Sequence, residues 1–498
     1  MELQSSFPRN LSYSIKELNN FSCVSCRILS DHLGNDINAG ETFRVNLPAG
    51  STLLDLRTIA MHFNFTASAT GASAGCTLHA PRYSSSLIER VNVYLNNNLV
   101  STINQYNLLY NAVADFQFPR DASAKRWLEN YDPSINYSSN SAASAYITAQ
   151  RTTANGGTSD TNKPMVINNW LGFLGGETST SVIDCASLGQ ITLEFVLAPP
   201  TVCWVSVSQT ISTTAATAAG TPSYKISNVY FTMNKITFNS DEYYNLLSSK
   251  LLDSGLIIGY RDYYTTKSSV YAKTANPTFN YSINANSLDA IYVTANISGY
   301  QTVGYLQLVG SQNITGNNSC DTNAALVNNY VNYTFEEALA NQGIAYSKNV
   351  TSNLNPTYSN DLFNQCQYFQ RNMLGLSSAQ LSVNSIPVDL WNKAPDYLYE
   401  EALENLGLKN IDINCSCHPG MLSLYHYLKY YFLQVVRFNN ISGDGQFYKS
   451  GLAANNTPIN ISYQATFDGT AKDSIYLVFF NVMTKIMSIN AGRIIQII

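Results

Sequence analysis

Two stretches half a chain apart resemble each other. Asn228-Val-Tyr-Phe-Thr-Met-Asn-Lys-Ile-Thr-Phe-Asn239 closes the first half of the 498 residues. Leu477-Val-Phe-Phe-Asn-Val-Met-Thr-Lys-Ile-Met-Ser-Ile-Asn490 closes the second, with Lys235-Ile236 matched by Lys485-Ile486. A further ungapped match lies at nearly the same offset: Asn107, Leu109, Tyr110, Asn111, Phe116 and Gln117 align with Asn360, Leu362, Phe363, Asn364, Phe369 and Gln370. Two matches at one spacing of roughly 250 residues imply a duplicated domain. Whatever one half folds into, the other must fold into again.

The repeated unit reads as β structure. Thr42–Leu47 alternates polar and apolar, Leu54–Phe65 continues in period two, and Val91–Leu95 runs into Asn96-Asn97-Asn98 before Leu99-Val100 resumes, which predicts a hairpin. Tyr106–Phe116 carries Leu109, Val113 and Phe116 at helical spacing. Strand patterning returns at Met165–Leu174, Gln190–Leu197 and Ile226–Phe238, and in the second half at Leu256–Tyr264, Phe279–Ile283, Ala290–Ile297 and Ile475–Ile489. Two segments carry helix punctuation: Ser240–Gly255, with a serine cap and a glycine stop, and Pro395–Gly407. Asp121–Thr161 is almost without aliphatic residues and is expected to be a long outward loop.

Composition narrows the function. Charged residues are only 12% of the chain, while Tyr, at 34, outnumbers Lys and Arg together at 28. Tyr, Thr, Val and Ile suit pleated surfaces, and Tyr-rich, Lys-poor surfaces suit contacts between protein subunits. A formal charge of −5 offers no basic footprint for nucleic-acid phosphates. Met1–Asp31 has no apolar run of leader length, so a cleaved leader is not expected. The most apolar stretch, Met421–Val436, is interrupted by His426 and Lys429 and falls short of the roughly 20 residues of a membrane span.

Residues with chemistry are sparse. The nine cysteines are expected to remain thiols. Cys23 and Cys26, with Cys415, Cys417 and His418, contain enough ligands for a tetrahedral zinc, but they stand at opposite ends of the chain and the second group is unusually tight. Gly71-Ala-Ser-Ala-Gly75 satisfies a nucleophile-elbow pattern without the following helix that its chemistry needs. The pairs Glu336-Glu337 and Glu400-Glu401 are adjacent on helix-like stretches, so they point around a helix and not across a cleft. Histidine occurs only at 32, 62, 79, 418 and 426. N-x-S/T triplets such as Asn64-Phe-Thr66 are what an Asn-rich, Ser-rich chain produces by chance. No catalytic, cofactor or metal site is expected.

Leu87–Tyr106 followed by an aromatic helix resembles the strand, hairpin and helix stretch of double jelly-roll major capsid proteins of virophages, polinton-like viruses and large DNA viruses. Trp170–Leu174 ahead of Gln190–Leu197, and the junction Val229–Phe238, Asp241–Leu252, Leu256–Tyr260, are similar to the same lineage. The resemblance implies an all-β fold with a few short helices, built as two consecutive eight-stranded jelly rolls. It implies an N-terminal arm at 1–40, a first jelly roll at 41–240, a linker helix at 241–255 and a second jelly roll at 256–498. The implied role is a non-enzymatic major capsid protein of the virion shell, made and assembled inside the host cell. Its homotrimers would tile an icosahedral lattice as pseudo-hexameric units. Penton and minor or cement proteins, and an inner membrane, are the further partners it suggests, with no direct sequence-specific nucleic-acid contact and no cofactor. A virion fibre or receptor-binding β protein would share the composition but has no need of a half-chain repeat. A two-domain carbohydrate-active enzyme would need separated acids across a cleft.

Overall fold

In the computed structural model the described residues fall within 21–117, 163–208, 221–238, 256–308 and 367–497, together with Asn245 and Ser249; the longest breaks inside those spans are 407–423 and 439–450. The first half contains β1 (Phe21–Leu29), β2 (Asp36–Asn38), β3 (Thr42–Asn46), β4 (Leu53–Thr70), β5 (Cys76–His79), β6 (Ile88–Leu95), β7 (Asn98–Asn104), α1 (Tyr106–Gln117), β8 (Lys163–Ile167), β9 (Val182–Asp184), β10 (Ile191–Leu197), β11 (Trp204–Ser208) and β12 (Thr221–Phe238). The second contains β13 (Leu256–Ala272), β14 (Thr278–Ile283), β15 (Leu288–Ile297), β16 (Tyr305–Leu308), β17 (Leu376–Val383), β18 (Ile386–Pro387), α2 (Pro395–Asn405), β19 (Gln434–Arg437), β20 (Ile459–Phe467), β21 (Ser474–Ile489) and β22 (Ile495–Ile497).

Each half builds the same pair of sheets. In the first, β1, β12, β4 and β8 lie side by side, with β2 also on β12 and β9 also on β4; β3, β10, β6 and β7 form the second sheet. In the other half β13, β21, β15 and β19 take the places of β1, β12, β4 and β8, and β14, β20, β17 and β18 take those of β3, β10, β6 and β7. First strand pairs with last, second with second-last, which is the eight-stranded jelly-roll order. Period-two sequence becomes one buried face: β3 buries Phe43 and Val45, and β20 buries Ile459, Ile461, Tyr463, Ala465 and Phe467. A small third sheet, β5, β11 and β16, joins the halves, with β11 parallel to β16.

The hairpin after each fourth strand turns the same way. Asn96 and Asn97 have φ of 47° and 65°, and Asn384 and Ser385 have 51° and 66°, so both are two-residue turns of the primed type that matches strand twist. Asn tolerates this left-handed backbone better than most residues. Each turn then grips the start of its neighbouring strand. The Asn96 N–H donates to the Gln190 carbonyl (2.9 Å) while its Oδ1 accepts the Gln190 N–H (3.1 Å). Asn384 does the same to Asn460, at 2.7 and 2.9 Å.

Two expectations need correction. Phe21–Leu29 and Asp36–Asn38, which the resemblance places in an N-terminal arm, form β1 and β2 along β12, the first in register from Phe21 opposite Phe238 to Leu29 opposite Tyr230 and the second from Asp36 opposite Ser227 to Asn38 opposite Lys225. The duplication is real, yet it is not ungapped. Leu53 and Leu288 open equivalent strands 235 positions apart, whereas Ile88 and Leu376 stand 288 apart, because the connection after β15 is much longer than that after β4. Asn107–Gln117 and Asn360–Gln370 therefore fall in different connections, and the counterpart of α1 is α2, which also follows the hairpin. Lys235 and Lys485 do lie on the equivalent last strands, opposite Val24 and Tyr260 on the equivalent first strands. The Ser240–Gly255 segment lies outside the described residues except for Asn245 and Ser249, both helical and exposed.

Candidate assembly surface

The seam between the two barrels shows how one jelly roll of this sequence docks on another. β21 is buried on both faces: Ile475, Leu477 and Phe479 enter the second barrel's core, while Val478, Phe480 and Val482 pack against the first. That is why Ile475–Ile489 reads as a near-continuous apolar run where other strands alternate. Edge contacts run between β7 and β13. The Tyr260 hydroxyl donates to the Val100 carbonyl (2.9 Å), the Thr265 hydroxyl to the Asn104 carbonyl (2.7 Å), and the Ser101 hydroxyl to Asp262 Oδ1 (2.7 Å). Phe173 meets Tyr260 edge-on at 5.5 Å, and burial pushes the Tyr260 hydroxyl far above its ordinary range. Asp262 is buried, and the ammonium of Lys485 on its Oδ2 compensates its charge.

Helix α1 straddles the seam. Leu109, Tyr110 and Val113 enter the first core, while Ala112 and Phe116 enter the second, where Phe116 meets Tyr427 edge-on at 6.3 Å. Phe369 joins the first cluster beside Tyr368. Helical spacing identifies which residues are buried but is silent about the wall they meet: the repeat predicts Phe116 and Phe369 each against the end of its own barrel, and each enters the other cluster. Asp115 on α1 accepts the Tyr83 hydroxyl (2.9 Å) and pairs with the buried Arg371 guanidinium at 2.7 Å, linking the halves by a desolvated ion pair. At one end of the seam a cleft of about 340 Å³ is lined by Glu89, Arg90, Asn104, Gln105, Thr265 and Lys267. Burial lowers the Lys267 pKa there, against the opposing pull of Glu89.

Two edges are apolar and open. Val24 and Leu29 on β1 are 60% and 67% exposed although β1 is hydrogen-bonded along β12. Ile386 on β18 is 70% exposed and Trp391, just beyond it, 57%.

Among the described residues, the chemical groups singled out from the sequence do not converge. Cys23 and Cys26 are three apart on β1, which puts them on opposite faces, and Cys26 is half-buried with its thiol toward the Met233 carbonyl. Burial raises the Cys26 pKa. Cys415, Cys417, His418, His426, Gly71–Gly75, Glu336-Glu337 and Asp121–Thr161 lie outside the described residues. Glu400 points to solvent from α2, whereas Glu401 pairs with Lys393 at 2.6 Å, its pKa raised by burial. His62 stacks on Tyr230 at 4.7 Å and bonds Thr232, and burial lowers its pKa. His32 is exposed beside Gly34. Among the described residues no group of three or more His, Cys, Asp and Glu could hold a metal ion, and no helix is long and apolar enough to cross a membrane.

No protein-family model matches the sequence, and no curated protein does. Solved structures do match. The PBCV-1 virus capsid protein is similar over 96% of this chain and 96% of its own, at 10% identity and a TM-score of 0.51. A chain of the Sputnik virophage is similar over 96% and 88%, at 12% identity and a TM-score of 0.51. The Faustovirus major capsid protein is similar over 94% and 90%, at 8% identity and a TM-score of 0.51. These are double jelly-roll proteins, and that fold is the one described above.

Proposed function

We propose that this chain is a major capsid protein of the virion shell whose homotrimers present six barrels as a pseudo-hexagonal tile of an icosahedral lattice. The observation that carries the reading is the seam: two barrels of identical strand order fuse into one block through a sheet buried on both faces. Such a block is a lateral building unit, because repeating the docking step between like barrels gives a ring. The fold shared with capsid proteins of PBCV-1 and Faustovirus supports the same reading.

In this reading the barrels span residues 21–238 and 256–498, the segment 241–255 links them, and the role is structural, not enzymatic. Vertex pentons and minor or cement proteins complete the shell, which can enclose an inner membrane. The net charge of −5 leaves genome contact to other proteins. Native mass spectrometry of the purified protein tests the trimer: a species of about three times 54.9 kDa is expected, and a monomer at micromolar concentration and moderate salt would contradict it.

A further inference from the structure

We infer that the exposed edge formed by β1 of the first barrel is the docking site for the β18 edge of a second copy of this chain, the contact being a repeat of the internal seam. The inference rests on the trimer reading and identifies its interface. Within one chain, the strand after the first barrel's hairpin turn, β7, lies along the first strand of the second barrel, β13. The same strands recur in the other two positions: β18 follows the second barrel's turn, and β1 is the first strand of the first barrel. Among the described residues neither carries a further strand on its outer edge.

The burial of equivalent residues shows what is missing. Tyr260, opposite Lys485, is 0% exposed, while Val24, opposite Lys235 at the same place on the other first strand, is 60% exposed. At the same sequence distance beyond the two turns stand Val100 and Ile103 in the first barrel and Val388 and Trp391 in the second, although the pairing differs, Ile103 lying opposite Val91 and Lys393 opposite Ala379. The first pair is 3% and 2% exposed and the second 37% and 57%. Apolar side chains that cover the seam inside the chain thus stand uncovered at its two ends. A head-to-tail contact of this kind uses different surfaces on the two partners and, when its steps close, leaves neither surface free. Three copies supply six barrels, three internal seams and three of the inferred contacts.

The test uses the full chain with Val24→Asp or Trp391→Asp, each at an exposed position that the single chain tolerates, with circular dichroism and thermal melting to verify folding. Native mass spectrometry should show each variant as a 54.9 kDa monomer where the unaltered chain is a trimer. An equimolar mixture should yield a one-to-one dimer, because the Val24→Asp copy keeps its β18 edge and the Trp391→Asp copy keeps its β1 edge. Alkylation of the exposed Cys23, read at the peptide level, should be blocked in the unaltered trimer and restored in the Trp391→Asp monomer. An unaltered chain that is itself monomeric would remove the trimer reading. A trimeric unaltered chain whose two variants also stay trimeric would leave that reading standing and overturn this interface, as would a mixture that stays monomeric. Cys23 still blocked in the monomeric variant would mean that the chain covers β1 itself, which also overturns it.

Discussion

At the scale of single residues, three contacts set the fold's tolerance. Gly189 has φ +75°, and a Cβ there would sit 2.1 Å from Asn96 Oδ1, the acceptor that grips Gln190. Gly189→Ala should therefore both strain the backbone and evict the Asn96 side chain, lowering unfolding free energy by about 1–3 kcal/mol in denaturant titration. Asp115→Ala leaves the Arg371 charge buried without its carboxylate and should cost about 3–5 kcal/mol, whereas Asp115→Leu with Arg371→Met should recover most of that loss. Burial pushes the Glu194 carboxyl up, but hydrogen bonds from Asn92 and Arg44 pull it down further, so its pKa ends below the ordinary value. A carboxyl lowered on folding stabilises above its unfolded pKa, and that stability disappears as pH falls through the folded value. Glu194→Gln should thus melt lower than the unaltered chain at pH 7, and the two should converge below about pH 4.

Elements are where sequence and structure part company. Period-two alternation marks β3, β4, β10 and β14, a near-continuous apolar run marks β21, and the Asn96-Asn97 turn and both helices α1 and α2 are visible from spacing and local chemistry. The Asn384-Ser385 turn is not, because Val-Asn-Ser-Ile-Pro lacks the run of asparagines that marks its partner, although the two make the same pair of hydrogen bonds. Strand β1 was missed because most of its residues are exposed in the single chain, so Phe21–Leu29 shows no clean alternation. The candidate surface was legible only as composition: excess Tyr and few charges announce contacts without saying where. The Phe116 contact gives an element-scale outcome. Phe116→Ala should cost about 3–5 kcal/mol. Hydrogen exchange should then rise in β20 and β21 of the second barrel more than in β6 and β10 of the first, since the ring sits in the second core.

For the whole molecule, two like barrels form one block, and in the proposed assembly three such blocks form a tile. The faces of β21 toward both cores make the second barrel dependent on the first. A chain of residues 256–498 alone should expose Val478, Phe480 and Val482, bind a hydrophobic dye and aggregate, where the full chain does neither. Electron microscopy of the concentrated full-length protein tests the central claim most directly. Averaged views down the short axis of the particle should show six lobes in a pseudo-hexagonal outline, assembling into flat hexagonal arrays or closed shells. Averages with two lobes at every concentration, and no lattice, would contradict it.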